Sequence, residues 1–76
     1  MSNGGGLYVT GSTSQLSQTS AATTWSFTHN LNSKYVSFET YDTNDYVIIP
    51  AGIKVLNTNS AEIYFATAQA GTAVAQ

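Results

Sequence analysis

Thr24-Trp25-Ser26-Phe27-Thr28-His29 decides the fold of this chain, because Trp25, Phe27 and His29 fall on every second residue with hydroxyls between them. Side chains two apart share one face of an extended strand, so the stretch has one face to bury and one to hydrate. The same pattern recurs downstream, each run stopping at a cluster of Asn, Asp or Ser. Tyr35 to Tyr41 sets Val36, Phe38 and Thr40 against Tyr35, Ser37, Glu39 and Tyr41. Asp42-Thr43-Asn44-Asp45 then reads as a turn, since Asp and Asn bond to nearby backbone and Asn tolerates positive φ. Tyr46-Val47-Ile48-Ile49 completes a hairpin and ends at Pro50, which cannot donate to a ladder. Ile53 to Leu56 and Ala61 to Ala66 form a second hairpin across Asn57-Thr58-Asn59-Ser60. Thr72-Ala73-Val74-Ala75 adds a last short strand. No segment sustains a helical period. The pattern predicts an all-β fold, a small antiparallel β-sandwich or barrel of about six or seven strands.

Upstream of this body the chain changes character. Met1 to Gly6 is a flexible lead, because consecutive glycines lose the most entropy on ordering. Leu7-Tyr8-Val9-Thr10 is a short strand candidate ending at Gly11. Ser12 to Thr24 is rich in Ser, Thr and Gln, and its composition fits either an extended arm on another surface or a solvated linker. The expected organisation is a flexible N-terminal arm over 1–22 with one short strand at 7–10, followed by a β-sandwich domain over 23–76.

Composition narrows the function. A chain of 76 residues forms one small domain with a limited core, and such folds usually need a staple. With no cysteine a disulfide cannot supply it, which leaves association with another subunit. Charged residues are 8% of the chain and the net charge is −2, so Ser, Thr, Asn and Gln must carry solubility. Lys34 and Lys54 are the only cations. Two lysines neutralise few phosphates, so nucleic acid is not an expected partner. No apolar run reaches the roughly 20 residues that span a bilayer, and the start lacks the basic and apolar parts of a signal peptide. Neither a membrane partner nor self-directed export is expected.

The stretch Trp25-Ser26-Phe27-Thr28-His29-Asn30-Leu31 and the segments downstream of it resemble a known module. A Trp, an apolar residue two further on, His-Asn-Leu, an apolar strand ending in Tyr41-Asp42, a turn, Val47-Ile48-Ile49-Pro50 and a late Gly71-Thr72-Ala73-Val74 are similar to a small β-sandwich module of bacteriophage virion proteins. That module occurs as a repeat in tail fibres and as short stand-alone structural proteins. The similarity covers about residues 22 to 75. It departs at Asn32, where many copies have Gly; Asn also accepts positive φ, so the turn is expected to survive. The resemblance implies assembly or attachment, with Trp25, Phe27, His29, Asn30 and Leu31 as its structural motif.

Each group able to do chemistry has a plainer reading. His29 is the only imidazole. It has no sequence partner for acid-base work or metal binding, and its ring is expected to bond to the turn at Asn30 to Asn32. Glu39, Asp42, Asp45 and Glu62 are read as turn residues and charges on polar strand faces rather than a glycosidase pair. Asp42, Asn44 and Asp45 lack the spacing of a calcium loop. Plentiful Ser and Thr without Cys or a second His draw no nucleophile and base, and Gly4-Gly5-Gly6 lacks the Lys and helix of a phosphate loop. No catalytic residue, cofactor or metal site is expected.

The five tyrosines carry more information. Tyr35 and Tyr41 share a strand face, and Tyr46 and Tyr64 lie on neighbouring strands. Tyrosine suits a surface that is part apolar and part hydrogen-bonding. Together with Leu7, Tyr8, Val9 and Leu16 of the arm, these residues are read as a subunit or docking interface. A second buried face and carbohydrate stacking remain alternatives for the tyrosines.

The expected function is a bacteriophage virion structural protein: a capsid decoration, or cement, protein that self-associates as a trimer and docks on the major capsid protein or another virion protein. Assembly in the host cytoplasm and residence in the virion follow from it. The alternative is a tail-fibre or tail-tip module for host receptor attachment, with Asn30 to Ser33, Asp42 to Asp45 and Asn57 to Ser60 as contact loops. An enzyme fragment such as a depolymerase domain comes last.

Overall fold

The structure is a computed structural model and describes residues 13–76. Four antiparallel strands make up one sheet: β1 (Ser14–Thr28), β2 (Phe38–Asp42), β3 (Gly52–Asn57) and β4 (Ser60–Ala75). There is no helix among the described residues. β4 is the spine. β1 pairs along its whole length on one side, while β3 and β2 pair with its first and last thirds on the other.

The sheet folds over in the middle of β4, and the register shows where. The four steps along β1 from Gln18 to Ala22 run against two along β4 from Gly71 to Gln69. The next two, Ala22 to Thr24, run against five, Gln69 to Tyr64. Unmatched residues on first one strand and then the other bend a ribbon sharply. Phe27 is paired with Ala61 and Phe38 with Ala75. A straight strand at about 3.3 Å per residue would hold these positions roughly 46 Å apart. Instead the Phe27 and Phe38 rings stand edge to face with centroids 6.0 Å apart. The inner faces of the two halves therefore meet across one core.

That core contains Trp25, Phe27, Ile63, Phe65, Ala73 and Ala75, with Leu16, Ala22, Leu31, Val36, Phe38 and Ile48 packed against it. Large side chains oppose small ones: Phe27 lies across from Ala61, and Leu16 and Thr40 flank Ala73. The small residues leave room for the rings of the opposite half. Burying each large apolar side chain contributes on the order of 2 kcal/mol. Thr40 is buried without loss because its hydroxyl donates to the Ile48 carbonyl at 2.6 Å.

Several expectations need correction. Ser14 to Ala22, assigned by composition to an arm, form the first half of β1 and pair with Gln69 to Ala75. Polar strand formers are enough here because β4 supplies the partner edge. Where six or seven strands are expected, four are found among the described residues, since β1 and β4 each run through both halves. Thr72 to Ala75 continues β4 instead of starting a new strand. Tyr46 to Ile49 makes a single bridge, Tyr41 to Val47, in place of a strand. The chain must leave that half at Pro50 so that the Ala51 amide can donate to the Tyr64 carbonyl in the other. The strand candidate at Leu7 to Thr10 lies outside the described residues.

Candidate functional site

The motif Trp25-Phe27-His29-Asn30-Leu31 builds one end of the core. Trp25, Phe27 and His29 all point inward and are buried. The His29 Nδ1 accepts the Leu31 amide at 3.1 Å, which fixes the imidazole as an acceptor at that nitrogen. Its ring lies edge to face with Phe27 and Phe38, at centroid distances of 6.0 and 5.9 Å. Asn30 and Asn32 have φ of 59° and 53°, so both take the left-handed conformation that Asn accepts at low cost. This loop is stitched to the β3–β4 turn: His29 and Asn30 amides donate to the Asn59 carbonyl, Asn32 to the Asn59 side chain and Ser33 to the Thr58 carbonyl.

The Asp42 turn is self-contained. The Asp42 Oδ1 accepts from the Asn44 and Tyr46 amides at 2.8 and 3.0 Å, and Asp45 takes a φ of 67°. Its position by Gly71 in the ladder sets it at the bend of the sheet, away from the Asn30 and Asn57 loops. The three loops suggested as contacts therefore divide between opposite ends.

The tyrosines do not form one face. Tyr41 lies beside Thr72 and Tyr64 beside Thr24, so they belong to different halves of the folded sheet, on outer faces that point apart. Each donates its hydroxyl to a glutamate two residues earlier on its own strand: Tyr41 to Glu39 at 2.7 Å, and Tyr64 to Glu62. Tyr35 and Tyr46 are largely exposed. Leu16 is half-buried and packs against the core, and Leu7, Tyr8 and Val9 lie outside the described residues.

The two Glu–Tyr pairs have a pH signature. The hydrogen bond to Glu39 raises the pKa of Tyr41 above the usual tyrosine value, helped by the carboxylate's charge. The bond to Glu62 does the same for Tyr64, followed by partial desolvation. Losing the phenolic proton breaks the bond and sets two anions together. The stabilisation is thus complete below about pH 10 and is lost as pH rises through the raised values. In Glu39→Ala, Tyr41 is expected to ionise at lower pH than in the parent chain, read as phenolate absorbance. Superimposable titration curves would argue against the Glu39 contact in solution.

Sequence reasoning missed the most conspicuous surface. β3 carries Ile53, Val55 and Leu56, all exposed by 40 to 47%. Ile53 stands opposite Ile63 and Val55 opposite Ala61, both fully interior, so these two residues face the core side of the sheet without being covered. Val47 and Ile49 are exposed by 59 and 82%, and Val47, bridged to Tyr41, lies on the outer face of the other half. The alternation at Ile53 and Val55 was visible, but periodicity does not tell a covered face from an open one. Among the described residues there is no enclosed pocket and no group of three or more His, Cys, Asp or Glu placed to hold a metal.

No family model matches the chain, and neither a curated protein nor a solved structure matches it.

Proposed function

We propose that this chain is a bacteriophage virion structural protein, a capsid decoration protein that self-associates as a trimer and docks on the particle surface. In this reading it acts by binding rather than by catalysis, its partners are its own copies and a capsid or other virion protein, and its place is the virion. The folded sheet serves as the two-layer sandwich that the resemblance implies.

The observation that carries the reading is the exposed apolar edge strand β3, with Ile53 and Val55 open on its core side, on a domain of only 76 residues. An apolar sheet edge left open invites unwanted pairing, and natural proteins cover or blunt such edges. β3 has one charge, Lys54, among its six residues. The resemblance through Trp25, His29-Asn30-Leu31 and Gly71-Thr72-Ala73-Val74 supplies the virion context.

Two measurements test it. Light scattering on the purified chain should give about 24 kDa, three times the 8.0 kDa of one chain. Quantitative mass spectrometry of purified particles should count the chain in numbers comparable to the major capsid protein. A count of a few copies would move the chain to the tail, and absence from particles would end the virion reading.

A further inference from the structure

We infer that the free edge of β3 takes Leu7 to Thr10 of a neighbouring copy as an added strand. The inference rests on the self-association proposed above and names the segment that makes it. Among the described residues β3 pairs only with β4, so one row of its backbone amides and carbonyls has no strand beside it. Ile53 and Val55 stand next to Ile63 and Ala61 on the core side of the sheet, yet they are 40 and 42% exposed where Ile63 and Ala61 are closed off. A further strand on that flank would cover them and satisfy the open edge.

The described residues begin at Thr13, and the chain before it contains one segment that fits. Leu7-Tyr8-Val9 alternates with the same period as Ile53-Lys54-Val55, so Leu7 and Val9 would extend the apolar face while Tyr8 lies beside Lys54 on the other. The match holds for a parallel or an antiparallel strand, because Tyr8 is central in both. Charge selects the same segment. Met1 to Ser12 carry no charged side chain, and a tyrosine ring is a favourable neighbour for an ammonium group. A second β3, in the register that sets Ile53 against Val55, would instead place two copies of Lys54 opposite each other, which like charges oppose.

Topology decides which copy supplies the strand. Ser14 pairs with Ala75 at the far end of β4, and β1 and β3 lie on opposite sides of β4. To reach the free edge of its own β3, the chain would pass about three strand spacings of roughly 4.8 Å and cross between sheet halves about 10 Å apart, about 17 Å in all. The four steps back from Ser14 to Thr10 span at most about 14 Å. The segment falls short of its own β3 and meets that of a neighbour. Each copy then gives one strand and takes one, a head-to-tail contact that closes into a ring such as the trimer.

The test uses the full chain in solution. Because the chain has no cysteine, Tyr8→Cys and Lys54→Cys in one chain introduce two thiols that only the added strand brings together. Opposed residues of neighbouring strands have Cα atoms about 4.5–5.5 Å apart, within the reach of a disulfide. Oxidation by dissolved oxygen is expected to give a covalent three-chain species on a non-reducing gel, with mass spectrometry placing the bond between positions 8 and 54. Val9→Asp and Val55→Asp should each weaken assembly at least about tenfold in sedimentation, with circular dichroism confirming the fold. Their combination should cost little more than either alone, since both break one contact. If the parent assembles but the thiols stay free or bridge within one chain, or if Val9→Asp assembles like the parent, this contact is wrong while self-association stands. If light scattering shows the parent chain to be a monomer, both fall.

Discussion

Trp25→Ala is expected to cost about 3–5 kcal/mol, the range for removing a large aromatic side chain from a core. Domains in general are stable by only about 5–15 kcal/mol, and a small one sits at the low end, so the variant should be largely unfolded at 25 °C. The size of the effect follows from where Trp25 sits. It is fully buried, its ring packs on Phe65 at a centroid distance of 4.7 Å, and its strand partner is Ile63. Its Nε1–H donates to the Gln69 carbonyl at 3.0 Å. Gln69 lies in the irregular stretch where β4 gains unmatched residues, so this bond pins the fold of the sheet as well as satisfying a carbonyl. Trp25→Phe separates the two roles: it keeps most of the ring packing and should lose about 1–3 kcal/mol from the unpaired carbonyl. Urea unfolding followed by circular dichroism, at one fixed chain concentration because assembly adds apparent stability, measures both. A Trp25→Phe variant as stable as the parent would remove the indole bond from the account of the bend.

Much of this architecture was legible because the side-chain period of a strand is fixed at two. Trp25, Phe27 and His29 face inward, as do Phe38, Thr40, Ile63 and Phe65, each on the alternation its own sequence displays. The Asp42 turn was legible as well, since a carboxylate that accepts amides two and four residues on is a local property of the chain. What escaped is non-local. Ser14, Leu16 and Gln18 alternate inward in a stretch whose composition suggests an arm, and only the partner edge at Gly71 to Ala75 makes it a strand. The tyrosines show the same limit: parity places Tyr41 and Tyr64 on polar faces correctly, but the fold of β4 turns those faces to opposite sides. The open edge at β3 is the reverse case, in which an apolar alternation correctly marks the core side of a strand that no described residue then fully covers.

Gly71→Ala should be nearly as damaging, at about 3 kcal/mol or more, the upper end of the cost of overpacking. Gly71 is flanked on both sides in the ladder, by Gln18 of β1 and Asp42 of β2. A Cβ there would stand 1.9 Å from the Tyr41 carbonyl oxygen and 2.9 Å from the Asp42 Cα. Both neighbours are backbone, so no side chain can rotate out of the way, and β2 itself has to move. β2 carries Phe38 and the buried Thr40, whose hydroxyl holds Ile48, so displacement there loosens the whole lower corner of the core. The damage should therefore be uneven. Amides that bond across this corner, Asp42 to Tyr46 and Ile48 to Thr40, should exchange much faster in the variant, while the β1–β4 pairs around Trp25 and Ile63 are affected less. Gly52→Ala is the matched control, because a Cβ at that position of β3 meets nothing within 4 Å. It should stay within about 0.5 kcal/mol of the parent. If the two alanine variants unfold at the same urea concentration, the close approach of β2 to Gly71 is not a feature of the protein in solution, and the close seating of β2 on the second half of β4 has to be redrawn.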